Sequence, residues 1–333
     1  MNFRIRNSWR WLVALGAVFV PAVVTGALEL PFTFKSGRPI KASEVNANFE
    51  ALRAKLDSLS GGGVAPAIGT LTLKGVLTDA PVRKFSQSIV VPPSVGVRAK
   101  PQFSQVVVER DLGEGSPVVN LNAAQQKALP SATLVFGNLT IELADVLIAS
   151  VAVATPRVGH PQEAISLGFA SVTYTWQEGN QAARAVSFDV TKGTGGLNGG
   201  REFSFGLFPV DATPDAAYVP VSSFEHQLAC TGASCKPQFA PFSIVKSVTA
   251  DTLDTFGLVT SGAVNKSVNL DVFADAATVS NGIELEDAIV STFALGTDAT
   301  GALSEKVSFT YSTVTWTAGP QSAGWDVAAS KGL

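Results

Sequence analysis

Histidines, cysteines and paired acids are the residues of this chain whose types and spacing could do chemistry, and they are few. His160 and His226 are its two histidines, so a nucleophile–histidine triad, a His-rich metal site or a histidine general base has almost nothing to draw on. His160 stands in Arg157-Val158-Gly159-His160-Pro161 and reads as a solvated turn histidine. Cys230 and Cys235 are the two cysteines, with four residues between them. In an oxidising compartment they can close a ring around Gly232 that staples a local loop. A metal site would need about four ligands, and His226 is the other soft ligand nearby, so a disulfide and no metal are expected. Asp211 and Asp215 lack the ligand spacing of a calcium loop and read as a solvated turn. The glycines between 193 and 200 lack the Lys-Ser/Thr of a phosphate-binding loop.

The acids carry more meaning. Glu142, Asp145 and Glu163 recur as Glu284, Asp287 and Glu305, each 142 residues further on. Acid pairs can do general acid and base work, but these stand beside predicted strands with no histidine among them. A structural or intersubunit role is expected, with no catalytic residue, no cofactor and no enzyme activity.

The elements that must position these residues follow from composition. The chain has 333 residues, 46% hydrophobic and 15% charged, enough for two cores of ordinary domain size. Thirty Gly and eighteen Pro punctuate segments rich in Val, Thr, Ser, Ala and Phe, a balance that predicts a mainly β fold. A formal net charge of −3 leaves no basic surplus for phosphates, so nucleic acid is not an expected partner. Arg4, Arg6 and Arg10 precede an apolar run from Leu12 to Val24 and the small residues Thr25-Gly26-Ala27. This predicts a signal peptide over 1–27 and export to the periplasm or beyond. An uncleaved anchor is the alternative, the run approaching the lower limit for a span of roughly 17 residues. No span is expected in the mature chain.

Residues 28–65 read as an extended leader and a helix capped at Ser43. Val45, Phe49, Leu52, Leu56 and Leu59 follow steps of four and three, an a/d seam that lies either on its own chain or in a short parallel coiled coil setting the oligomer. From Ile68 onward short strands alternate with turns, including one over Ala164–Trp176. A helix is expected around Val118–Leu129, capped at Asn120 and stopped by Pro130. Residues 193–200 break all periodicity and read as a linker. Around that linker the chain repeats: shifting Ile141–Thr175 by 142 lands on Ile283–Thr317 without a gap, with roughly a third of positions identical. Lys100-Pro101-Gln102-Phe103 recurs as Lys236-Pro237-Gln238-Phe239, and Phe188-Asp189-Val190 as Trp325-Asp326-Val327.

The repeated stretch itself is informative. Its first copy runs through Ala144-Asp145-Val146-Leu147-Ile148, then Glu163, Ile165-Ser166-Leu167-Gly168-Phe169 and Val172-Thr173-Tyr174-Thr175-Trp176. Its second runs through Glu286-Asp287-Ala288-Ile289-Val290, then Glu305, Val307-Ser308-Phe309 and Val314-Thr315-Trp316. Ahead of the second copy stands Asp251-Thr252-Leu253-Asp254-Thr255-Phe256-Gly257-Leu258-Val259. This pattern resembles the Hcp family, the haemolysin-coregulated tube proteins of type VI secretion systems, and through them phage tail-tube proteins. The resemblance implies two tandem antiparallel β-barrels, 66–192 and 201–333, each with a short helix. It implies no active site, and six barrels in a ring with rings stacking into a tube. Two features depart from the family: its members are usually single-domain and lack a cleavable export signal. With two barrels per chain, three chains complete six places, so a homotrimer forming a pseudo-hexameric ring is expected, with protein cargo as a further partner. The alternative is a secreted carrier or binding module for a protein or glycan that kept this fold without the tube.

Overall fold

Alternation of fully and partly buried residues sets strands such as Val106–Asp111 and Gln162–Gly168, where every second side chain enters the core. The computed structural model describes residues 66–92, 99–155, 160–210, 212–229 and 237–333. The signal region 1–27, the leader and helix of 28–65 with its Val45 to Leu59 seam, Asp211, and Cys230 and Cys235 lie outside the described residues.

The first half runs β1 (Gly69–Leu73), β2 (Leu77–Val82), β3 (Lys84–Val90), β4 (Gln102–Phe103), β5 (Val106–Asp111), α1 (Ser116–Ala124), β6 (Leu129–Phe136), β7 (Leu139–Ala154), β8 (Gln162–Gly168), β9 (Ser171–Trp176), β10 (Arg184–Asp189) and β11 (Thr194–Gly195). The second runs β12 (Phe203–Leu207), β13 (Val219–Pro220), β14 (Ser223–Glu225), β15 (Leu228–Ala229), β16 (Gln238–Phe239), β17 (Phe242–Ser247), α2 (Thr252–Ser261), β18 (Val264–Phe273), β19 (Val279–Thr297), β20 (Leu303–Thr310), β21 (Thr313–Ala318), β22 (Gln321–Asp326) and β23 (Lys331–Gly332). The fold is mainly β, as expected.

Each half is organised by one long bent strand. The first part of β7 pairs with β6 and β9, and its far end pairs with β8. The same holds for β19 with β18, β21 and β20. The stretch read as one strand over Ala164–Trp176 is one path opposite β7, broken at Phe169–Ala170 into β8 and β9. Both long strands carry a bulge just past the bend, between Ile148 and Ser150 and between Val290 and Thr292. Bulges of this kind increase local twist and turn a strand from one sheet into the next.

Two expectations need correction. The helix begins earlier than Val118 and ends before Leu129: Pro117 occupies its first turn, where its missing N–H costs nothing. Asn120 lies inside that helix and donates to the Ser116 carbonyl at 2.8 Å, while Leu129 and Pro130 already belong to β6. The sheets are also not two closed antiparallel barrels. β12 runs parallel to both β13 and β18, and β3 of the first half pairs antiparallel with the far end of β19, from Val90 opposite Thr292 to Ser86 opposite Gly296.

That ladder joins the halves into one compact unit. The glycines read as a linker contribute to the join. Thr194 and Gly195 pair with β10, and Leu197 N–H donates to the Gly257 carbonyl of α2 at 3.2 Å. Gly196 has φ +85° and leaves no room for a side chain: a Cβ there would stand 2.8 Å from the Gly257 carbonyl oxygen.

Candidate functional site

The repeated acids separate into three structural settings. Glu163 on β8 lies directly opposite Arg110 on β5, and their side chains form a buried ion pair at 2.6 Å. The Ser116 hydroxyl, at the start of α1, donates to the same carboxylate oxygen at 2.9 Å. In the second half Glu305 on β20 lies opposite Lys246 on β17 at 2.9 Å, both side chains fully buried. Thr252 and Thr255 in the first turns of α2 donate to its two oxygens at 2.6 and 2.5 Å. Each glutamate therefore ties a helix start to the sheet while its charge is balanced across the strand pair. This is a staple rather than a catalytic dyad.

Asp145 and Asp287 hold the bends. Both have positive φ, 51° and 48°, the left-handed conformation that aspartate tolerates better than most residues. Their neighbours at the bend bond identically in the two halves, Ala170 N–H to the Ala144 carbonyl and Ser312 N–H to the Glu286 carbonyl. Glu142 and Glu284 face outward opposite Thr173 and Thr315. His160 is exposed. The repeated acids thus do not converge on one cleft, and no cluster of His, Cys, Asp and Glu among the described residues could hold a metal ion. Arg110 and Lys246 are the members of this arrangement that the sequence reading missed. Each stands seven residues after the Phe of a Lys-Pro-Gln-Phe segment, a spacing that could have found them.

The most developed feature of the molecule is the junction between its halves. Tyr174 of β9 is fully buried, donates to the Gln87 amide oxygen on β3 and stacks on Phe256 of α2 at 4.1 Å. Burial pushes its hydroxyl far above the usual tyrosine range, with the charge of Glu305 adding to the effect. Arg184 of β10 reaches Asp254 of α2 at 2.9 Å. Phe85 N–H donates to the Thr297 hydroxyl at 2.9 Å, extending the β3–β19 ladder by one residue. The first half thus contributes an edge strand and a sheet face, and the second contributes a different edge and a helix.

Counterparts of these surfaces recur, and among the described residues their strand edges have no second partner. The register matches β3 to β14 and β15: Lys84 opposes Glu109 as Ser223 opposes Val245, and Ile89 opposes Phe103 as Leu228 opposes Phe239. The far end of β7 matches the far end of β19 by the shift of 142. Every residue of α2 from Thr252 to Thr260 is buried, whereas α1 exposes Val118 and Leu121. Tyr174, stacked on α2, and Ile141, opposite it on β7, are buried, while their counterparts Trp316 and Ile283 are half-exposed.

Beside this open face lies an aromatic cluster. Phe239, Tyr311 and Trp316 surround His226 with ring centroids about 6 Å from its own, Trp325 packs beside Phe239, and His226 Nε2 lies 2.9 Å from the Tyr311 hydroxyl. Burial lowers the His226 pKa below its ordinary value and pushes that of Tyr311 up to about 12.

Residues 215–317 match the model of the family described as Type VI secretion system effector, Hcp. Among solved structures, the chain is similar to Hcp1 from Salmonella typhimurium, with 17% identity over 37% of this chain and 95% of that one and a TM-score of 0.33. A type VI secretion system effector from Yersinia pestis matches with 18% identity over 36% of this chain and 98% of that one, TM-score 0.31. The tail protein from Neisseria meningitidis MC58 matches with 5% identity over 73% of this chain and 96% of that one, TM-score 0.34. No curated protein matches. Among the described residues, no helix is long and apolar enough to cross a membrane.

Proposed function

We propose that this chain is an exported, non-enzymatic structural subunit related to type VI secretion tube proteins, and that its copies assemble into rings. The observation that carries the reading is the junction between the halves. It is heterologous, since the two halves use different surfaces, and the chain carries a second set of both, whose strand edges have no second partner among the described residues. A heterologous contact repeated from copy to copy closes into a ring or runs on as a filament. The match of residues 215–317 to the Hcp family model favours the ring, with three chains supplying six lobes. The buried roles of Glu163 and Glu305 support a scaffold rather than an enzyme.

A second reading has its own support: Tyr311, Trp316 and Trp325 are half-exposed, and aromatic side chains exposed together are of the kind that bind a protein or glycan, as a secreted carrier would. Negative-stain electron microscopy of residues 28–333, with mass by light scattering, separates the two. Six-lobed rings of three chains are expected, and a uniform monomer would replace the ring by the carrier.

A further inference from the structure

The internal junction specifies more than the existence of self-association. Leu295, opposite Gln87, and Ile89, opposite Phe293, both lie within it and are 1% and 0% exposed. Their counterparts in the other half, Val153 on β7 and Leu228 on β15, are 54% and 52% exposed. Large apolar side chains on unpaired strand edges invite another strand. Beyond Ala149, β7 pairs with β8 on one side only. Segment 225–229 pairs with β17 and β16 on one side, and neither edge has a second ladder partner among the described residues. The end of the ladder is repeated in residue type as well: Phe85 and Thr297 close it internally, and Phe224 and Thr155 stand at the matching places.

We propose that residues 150–154 of one copy take residues 225–229 of a second copy of this chain as an antiparallel strand. Its register is Ser150 opposite Ala229, Ala152 opposite Gln227 and Ala154 opposite Glu225, with Phe224 N–H donating to Thr155. The same approach lays the β21–β22 face of the second copy over α1 of the first, covering Val118 and Leu121. The contact rests on the self-association reading above and adds its edges, direction and register. Its two surfaces differ, so each copy offers one of each and no two copies meet symmetrically.

Cysteine pairing in the purified full chain tests it. Ala152→Cys and Gln227→Cys in one chain should, under mild oxidation, give covalent oligomers on a non-reducing gel, and the unmodified chain with Cys230 and Cys235 should give none. Chains carrying one substitution each should cross-link when mixed and stop at dimers. Cross-linking of Ala152→Cys with itself would show a two-fold contact and overturn the proposal. So would particles that assemble, by light scattering, without any Ala152–Gln227 cross-link, an outcome that leaves the ring reading standing. A monomeric unmodified chain would overturn both. As a second variant, Val153→Asp places a charge in the contact and should dissociate the assembly with its circular dichroism unchanged; assembly of this variant at the mass of the unmodified chain would reject the register.

Discussion

Two carboxylates, Glu163 and Glu305, are the clearest instance of one residue doing one job twice. A buried glutamate is tolerated here because a cation stands opposite it and hydroxyls from a helix start donate to it. Removing one partner of such a pair leaves an uncompensated buried charge, at a cost of about 3–5 kcal/mol. Lys246→Met should lose stability of that order in urea unfolding. Adding Glu305→Gln should recover part of the loss, since the amide oxygen still accepts from Thr252 while the charge is gone; equal stability of the single and double variants would contradict the account. At His226 the sign runs with pH. Burial lowers its folded pKa, so the unfolded chain binds the proton more readily and stability is complete above about 6.5. It is lost as pH falls toward the lowered folded value. His226→Gln places there the residue type of its counterpart Gln87. Compared at pH 7 and pH 5, the variant should lose less thermal stability than the parent, and equal losses would show that His226 contributes nothing to the acid response.

Elements were legible wherever period decides the outcome. The alternation in Val172-Thr173-Tyr174-Thr175-Trp176 marks β9 and its buried face, and the 142-residue shift matches the long strands of the two halves. The bends were not legible, because an aspartate in a strand gives no sign of positive φ until its neighbours fix the backbone. Helix α1 departs from its expected span for a different reason: Pro117 suits the first turn of a helix, and Pro130 sits within a strand rather than at a helix end. The repeated acids were legible as a set and their meaning was not, since their cationic partners lie over 50 residues away in sequence. The Gly-rich segment 193–200 shows the same limit, because flexibility and close approach call for the same residue. Close approach makes a prediction at this scale. Gly196→Ala would force a methyl group against the Gly257 carbonyl and Thr260 at a backbone angle that alanine disfavours. The cost should be about 1–3 kcal/mol in denaturant unfolding, where a true linker would show none.

At the scale of the whole molecule, the duplication poses the question of whether two copies are two folding units. A fold shared by two halves can be held as beads on a string, each melting by itself, or as one cooperative body. Here β3 gives its second edge to β19, Tyr174 of one half is sealed by Phe256 of the other, and α2 has no exposed face left once the first half is in place. Unfolding the first half would strip that helix and expose the β19 edge. It would also take Arg184 away from Asp254, leaving Arg201 at 3.7 Å as its remaining cation. Opening either half thus removes burial from the other, which is the condition for cooperative unfolding. Calorimetry of the chain should show a single transition whose van't Hoff and calorimetric enthalpies agree once dissociation of any assembly is accounted for. Tyr174→Ala, at the centre of the junction, should split that transition in two or broaden it. Two resolved transitions in the parent chain would mean that the halves fold independently and that the junction follows from proximity rather than from shared stability.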